Sequence, residues 1–228
     1  MLKILDTNNY GVTDGKYWNQ TQTSGKNYND WSTATLKTEL NGTYLSTLLA
    51  TSGVNSKLSS AIINTKWHLG GASDSNRNTL TAEGIYTEER NTSAIYSGNP
   101  SSIYAKVGLM YPSDYGYATV RGTTTNKSSC RAKELYNWDG SSYSDCKNND
   151  WLFTSQVTSW GSKKSEWLIS PYSSLSYDAA VLAGSGCVAR GSLAGDGQFA
   201  VRPTFYLDSS ILKIVGGTGT SDNAYRIG

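Results

Sequence analysis

The sequence FAVRPTFYL at residues 199–207 decides the fold class, because its apolar side chains recur at every second position. The recurring residues are Phe199, Val201, Pro203, Phe205 and Leu207. A period of two predicts a β-strand that buries one of its faces. Since proline has no backbone N–H to donate, we expect an edge position or a bulge at Pro203.

Further strand patterns surround this segment. Ile211 to Val215 predicts a last strand, and Gly216 to Gly219 predicts the turn that follows it. Ala179 to Val188 is small and apolar, which favours a central strand. Shorter strands are expected at 66–69, 84–86, 105–111, 151–153 and 167–169.

The N-terminal region carries the helical signal. Apolar residues recur every four positions at Leu36, Leu40, Tyr44 and Leu48. This spacing predicts two short helices, at 33–41 and 43–51, with the break at Gly42, and a third helix containing Val54, Leu58 and Ile62. The predicted fold class is therefore α+β, in which short N-terminal helices pack on a twisted, mainly antiparallel sheet with long loops. No internal repeat or linker divides the chain, so we expect a single domain at 1–228.

The composition excludes several classes of protein. Charged residues are 17% of the chain, whereas it contains 16 Tyr, 7 Trp and 23 Gly, an aromatic content that is untypical of disordered proteins. The net charge is +2 and the basic residues are scattered, so we expect no nucleic-acid partner. Apolar runs are too short for a membrane span, and the sequence from Met1 has no signal-peptide hydrophobic region. If the protein is exported, its leader or anchor lies outside this sequence.

The chain has three cysteines, Cys130, Cys146 and Cys187. With no CxxC motif and a single histidine, a structural zinc site is not expected. In an oxidising compartment, a Cys130–Cys146 disulfide would close a short polar loop, whereas both remain thiols in a reducing one. We expect Cys187 to be a buried free thiol.

Four parts of the chain resemble a group of domains on exported Firmicutes proteins, which often follow a prepilin-like segment. The matching elements are 30–45 (opening "W-x-x-S-x-L"), 106–118 ("vGLit"), 167–171 ("W-l-l-SP") and 201–227 ("VRP", then "GGtGt"). Ala224 stands where a proline is usual, and Asp114-Tyr115 replaces an acidic pair. The resemblance covers the chain from about residue 30 and implies an extracellular, cell-surface domain. These domains are distantly similar to the C-type-lectin-like and formylglycine-generating-enzyme folds.

None of the candidate catalytic residues forms a recognisable catalytic motif, so we expect that the protein is not an enzyme. His68 is the only histidine and lacks a GxSxG partner motif. Glu88-Glu89 with Asp114 or Asp178 has no fixed separation that would define a carboxylate pair. Cys187 lacks the second nearby thiol that copper chemistry of the formylglycine-generating kind requires. Arg202 is expected to form a structural ion pair, with Glu89 or Asp114 as the candidate carboxylate.

Aromatic residues in polar loops give the only positive functional signal. Exposed rings stack on sugars or anchor protein partners. The expected ligand-binding residues are Tyr136, Trp138, Tyr143, Tyr172 and Tyr177; the competing interpretation is that these rings form local cores under long loops. Calcium is a further candidate ligand, because acidic and amide oxygens cluster at Asp139, Asp145, Asn148, Asn149 and Asp150. The spacing of these five residues is not that of an EF-hand.

The expected function is a non-catalytic adhesion or binding module of the bacterial surface or of a pilus, with a glycan or host surface protein as partner. The alternative is a pilin-like structural subunit that contacts like subunits in an extracellular filament. No cofactor is expected in either case.

Overall fold

The structure, a computed structural model, describes residues 2–5, 15–50, 56–120, 125–156, 158–159, 162–193, 198–210, 213–218, 223 and 226–227. Val54 and Ile211, part of the predicted third helix and last strand, lie outside these residues, as does Gly219 of the predicted turn. Among the described residues, none of the helices combines the length and apolar character that a bilayer crossing requires.

The chain combines short helices with antiparallel sheets, which confirms the α+β class. The α-helices are α1 (Thr35–Glu39), α2 (Leu45–Ala50), α3 (Ser56–Ala61), α4 (Ala82–Arg90), α5 (Pro112–Ala118), α6 (Lys127–Arg131), α7 (Ser144–Asn148) and α8 (Trp151–Thr154). The strands are β1 (Leu2–Leu5), β2 (Thr65–His68), β3 (Ser102–Ala105), β4 (Val107–Leu109), β5 (Thr158–Ser159), β6 (Ser162–Lys163), β7 (Glu166–Pro171), β8 (Asp178–Leu182), β9 (Val188–Ser192), β10 (Pro203–Leu207), β11 (Ile214–Gly216) and β12 (Arg226–Ile227).

A three-stranded sheet in the order β7-β8-β9 separates two apolar clusters. Trp167 and Ile169 of β7 belong to the first cluster, with Trp18 and Trp31, whereas Leu168 belongs to the second. Successive side chains of a strand point to opposite faces, so both faces of this sheet are buried. The strand predicted at 167–169 is confirmed, but the 179–188 strand ends at Leu182, where a turn leads into β9.

Residues 203–207 of the segment that decided the fold class form β10, the middle strand of a second antiparallel sheet, β1-β10-β4. The structure has no bulge at Pro203, which pairs with Leu109 in regular register, and the described pairing of β10 with β1 ends at Thr204, one residue short of Pro203. Pro203 is the first residue of β10, a position at which a strand tolerates the missing N–H.

The N-terminal helical region is continuous from Thr35 to Ala50, because a π-helical turn at Leu40–Tyr44 joins α1 to α2. The predicted break at Gly42 therefore does not occur. Asn41 explains the polar interruption in the sequence: its side chain accepts hydrogen bonds from the backbone N–H groups of Lys106 and Val107, both at 3.0 Å. Its amide also donates to the Val107 carbonyl, which fixes the helix against β4.

Two segments predicted as strands are helices. Residues 84–86 lie in α4 and residues 151–153 lie in α8, because each helix has a side chain that caps its N-terminus. The Thr81 hydroxyl accepts from the Gly84 N–H, and the Asp150 carboxylate accepts from Leu152 and Phe153. The segment predicted at 66–69 is a strand, β2. It pairs with β3, since residues 84–86 form no strand.

Arg202 forms the structural ion pair that was expected, but with a different carboxylate. Its Nη2 lies 2.6 Å from Glu166 Oε1, and both side chains are almost fully buried. The candidates Glu89 and Asp114 are committed elsewhere, to Ser113 and to the Tyr111 N–H.

The Cys130–Cys146 disulfide is present, as expected for an oxidising compartment, and Cys187 is a free, buried thiol. The disulfide joins α6 to α7 beneath the surface, since both cysteines are at most 1% exposed. Helix α6 is a wall of the cleft described next.

Candidate ligand-binding cleft

Helix α4 supplies the first wall of a surface cleft. The Thr81 cap starts the helix, and Ala82 and Ile85 turn its apolar side inward. Glu83 and Tyr86 therefore lie on the outer side, and both are exposed. This separation of inner and outer residues follows from the helical period.

Helix α5 supplies the second wall and presents a single exposed side chain, Tyr117. The helix begins at Pro112, and the Asp114 carboxylate accepts a hydrogen bond from the Tyr111 N–H. Gly116 allows close packing on α4, since a Cβ at this position would lie 2.6 Å from Ala82 Cβ. Because Gly116 and Ala82 are both small, helices α4 and α5 lie close together. Tyr86 and Tyr117 then pack edge to face, with 6.3 Å between their ring centres.

Helix α6 supplies the third wall. Asn126 caps it by accepting from the N–H groups of Ser128 and Ser129. Within the helix, the disulfide at Cys130 holds the backbone next to Arg131. The Arg131 guanidinium lies 4.8 Å from the centre of the Tyr117 ring, a cation–π contact that orients both side chains.

The cleft between these helices has a volume of about 560 Å³. Ligand sites typically occupy about 300–1,000 Å³, so the cleft has room for one or two sugar rings. Its lining combines one tyrosine ring, both signs of charge and two aliphatic hydroxyls: Thr81, Glu83, Tyr117, Ser128, Arg131 and Ala132.

Tyr136 and Tyr172, two of the aromatic residues predicted to bind ligand, lie together near Arg77 and outside the cleft. Arg77 lies over the Tyr136 ring at 4.8 Å, and Tyr172 is only 2% exposed beside them. Burial raises the pKa of the Tyr172 hydroxyl to about 12. The cavity among these residues has a volume of about 10 Å³, which accommodates a single water molecule. Asp74 bridges Arg77 and Arg190 on the surface nearby, so these charges satisfy one another.

The other three predicted aromatic residues are dispersed. Trp138 is fully buried and packs on Tyr115 at 5.0 Å, so it is a core residue and offers no ring to a ligand. Tyr143 is half-buried under Lys133, whose Nζ lies 4.8 Å from the ring centre. Tyr177 is exposed. The interpretation that some loop rings form local cores therefore holds for Trp138 and Tyr172.

The carboxylates considered as catalytic candidates have structural partners. Glu89 is fully buried and accepts hydrogen bonds from the Ser113 N–H and hydroxyl at 2.7 and 2.6 Å. Burial raises the pKa of Glu89 to about 7, against the opposing effect of these bonds. Asp178 is buried and lies 3.3 Å from Arg190 Nε. Partial burial also lowers the pKa of His68, beside Arg90 and Lys66.

The acidic and amide residues considered as calcium ligands have separate hydrogen-bond partners in the structure. Asp150 caps α8 and accepts from Thr119, Asn149 donates to the Thr125 hydroxyl, and Asp139 accepts from Ser185. Within the described residues, three potential metal-ligand atoms come together only at Cys130, Asp145 and Cys146, and the two sulfurs are already joined. Calcium binding stays a prediction without a site.

The sequence reasoning missed Tyr86, Tyr117 and Arg131. One signal was present: Tyr115 and Tyr117 are two residues apart, so in a helix they must point to nearly opposite sides. Tyr86 was missed because residues 84–86 were predicted to form a strand, whereas they lie in α4.

Comparison of the chain with protein-family models, curated proteins and solved structures found no match.

Proposed function

We propose that this protein is a non-catalytic binding module of the bacterial cell surface or of a pilus, and that it recognises a glycan in the cleft between α4, α5 and α6. The observation that carries the proposal is the exposed Tyr117 ring, held under Arg131 beside an open cleft of about 560 Å³. The predicted loop aromatics give less support, because Trp138 and Tyr172 are buried.

The chemistry of the lining suits a sugar. An aromatic ring offers a face to the C–H groups of a pyranose, and charged side chains exchange hydrogen bonds with its hydroxyls. Neither Glu83 nor Arg131 forms an ion pair within the described part of the chain. Their hydrogen-bonding capacity is therefore open to a ligand.

The surface location and the finer fold assignment belong to the same proposal. A disulfide is typical of exported proteins, and here it supports a wall of the cleft. Short helices packed against antiparallel sheets agree with a C-type-lectin-like arrangement, in which connecting segments carry the binding surface. The resemblance to exported Firmicutes domains points to the same location.

A glycan array with the wild-type protein and Tyr117→Ala tests the proposal. We expect binding to at least one glycan class, with a tenfold or greater loss in Tyr117→Ala, because the variant removes the aromatic contact surface of the cleft. Tyr104→Ala is the matched control, because Tyr104 is 68% exposed on β3, outside the cleft. A panel of host matrix proteins run in parallel identifies a protein partner.

Failure of the wild type to bind any glycan would count against the proposal. So would equal losses in Tyr117→Ala and Tyr104→Ala. Tyr136→Ala and Tyr177→Ala, run alongside, locate the site at the predicted loop aromatics if they alone reduce binding.

One observation favours the alternative, a filament subunit that is pilin-like. Among the described residues the β2–β3 ribbon has two strands, and it exposes Tyr104 opposite Lys66. Unpaired strand edges pair readily with other chains. Sedimentation velocity at rising concentration tests this function: self-association that Tyr104→Ala abolishes supports it, and a constant monomer contradicts it.

A further inference from the structure

The charge arrangement in the cleft defines a narrower class of ligand. Of the arginines whose side chains the structure describes, four reach a carboxylate: Arg77 and Arg190 at Asp74, Arg90 at Glu89, and Arg202 at Glu166. Arg131 is the exception within the described residues, since its guanidinium contacts the Tyr117 ring and no carboxylate. A guanidinium held in place without an acceptor is preorganised for one.

The missing acceptor is best supplied by a carboxylate. A guanidinium presents its N–H donors as a planar fork, which matches the two oxygens of a carboxylate. The Tyr117 ring orients this fork at the edge of the cleft, and the disulfide at the preceding residue, Cys130, holds its backbone. Little conformational freedom is therefore lost when a ligand binds.

The second charged residue of the cleft, Glu83, determines which other functional groups the ligand must carry. Glu83 offers only acceptors, so it needs a donor such as a sugar hydroxyl. A second carboxylate on the ligand would be repelled by Glu83. The ligand that satisfies both charges carries one carboxylate and several hydroxyls.

We propose that the cleft binds an acidic sugar, a hexuronate or a sialate, with its carboxylate on Arg131 and its hydroxyls on Glu83. This inference rests on the proposed glycan-binding function and specifies its ligand. Arg131 here is a specificity-determining residue, whereas Tyr117 serves acidic and neutral sugars alike.

Matched ligand pairs test the inference by calorimetry. Galacturonate is compared with its methyl ester, and sialyllactose with its own methyl ester, so that the two arms distinguish a uronate from a sialate and each pair differs only in the charge of one carboxyl group. We expect the acid of one pair to bind roughly tenfold to hundredfold more tightly than its neutral counterpart, the effect of a hydrogen bond to a charged group. Arg131→Met should abolish this difference, and Arg131→Lys should retain a part of it, because lysine keeps the charge without the fork.

Lys127→Met is the matched control, since it removes a cation from the same helix at an exposed position that does not line the cleft. It should leave the preference intact. Circular dichroism and urea unfolding establish that each variant is folded. If the wild type binds the acidic and the neutral ligand equally, the inference is overturned and the proposed function stands. The same conclusion follows if Arg131→Met keeps the full preference for the acid. Absence of binding to all four ligands and to the whole array overturns the proposed function itself.

Discussion

At the residue scale, Arg202 shows what a strand pattern can and cannot reveal. Its position in the 199–207 alternation places it next to buried residues, so a charged side chain there needs a partner. Glu166 is 36 residues away along the chain, and no local rule selects it over Glu89 or Asp114. The need for an ion pair is predictable from sequence, whereas the identity of the carboxylate depends on which strands become neighbours.

Removal of one member of this pair should be costly. Arg202→Met is expected to lower the free energy of unfolding by about 3–5 kcal/mol, because it leaves the Glu166 carboxylate buried without its cation. The measurement is urea unfolding at pH 7. The double variant Arg202→Met, Glu166→Leu should recover much of the loss, since an apolar pair often replaces a buried ion pair at little cost. A double variant as unstable as the single one would contradict this account.

Glu89 predicts a pH dependence of stability. Its pKa is raised to about 7 in the folded protein, from an ordinary value of 4.5, because it is buried. The folded state therefore holds this proton more tightly than the unfolded chain. The resulting stabilisation is complete below about pH 4.5 and is lost as the pH rises through 7, an effect of about 3 kcal/mol.

Urea unfolding of the wild type and Glu89→Gln between pH 4.5 and 8 measures this effect. The stability of the wild type relative to the variant should fall as the pH rises, because glutamine has no proton to lose. Parallel profiles of the two proteins would show that Glu89 stays ionised across the range.

At the element scale, the errors concern short apolar segments. Residues 84–86 and 151–153 contain too few side chains to distinguish a period of two from one of 3.6. The caps at Thr81 and Asp150 were the available evidence for helices. By contrast, 203–207 and 167–169 are strands as predicted, since an alternation and a continuous apolar run both describe buried strands, although the strand does not extend over 199–202.

The candidate cleft was not predictable to the same degree. Its three walls come from distant parts of the chain, and their approach depends on the Gly116–Ala82 contact. The sequence predicted the cysteine pair that supports one wall. It did not show that the Tyr117 ring is exposed and the Trp138 ring buried, because packing between distant elements decides this.

The disulfide between α6 and α7 should stabilise both the protein and the cleft. Cys130→Ser, Cys146→Ser is expected to lower the free energy of unfolding by about 3 kcal/mol, the loop-closure effect for a sequence separation of 16. Urea unfolding with and without reductant measures the change. Cys187→Ser is the control: it removes a thiol that is not bridged and keeps the disulfide, so reductant should lower its stability by as much as that of the wild type. An unaltered midpoint on reduction of the wild type would contradict the prediction.

At the scale of the whole molecule, the β7-β8-β9 sheet contributes side chains to both apolar clusters. Ile169→Ala, in the first cluster, and Leu168→Ala, in the second, should each cost about 2–5 kcal/mol. Each should also shift a single unfolding transition, because the shared sheet couples the clusters. Tryptophan fluorescence and far-ultraviolet circular dichroism should coincide in both variants.

This experiment also tests the prediction of a single domain. Two separate transitions, of which Leu168→Ala moves only one, would divide the chain into two units.

The buried sheet has a consequence for how this sequence varies in evolution. Neighbouring residues of β7 belong to different packing environments, whereas residues two apart share one. A substitution at Trp167 should be accompanied by changes at Ile169 and Val181, and one at Leu168 by changes at Ala180 and Leu182. Homologous sequences should therefore show two interleaved patterns of covariation along one strand, each following its own side of the sheet.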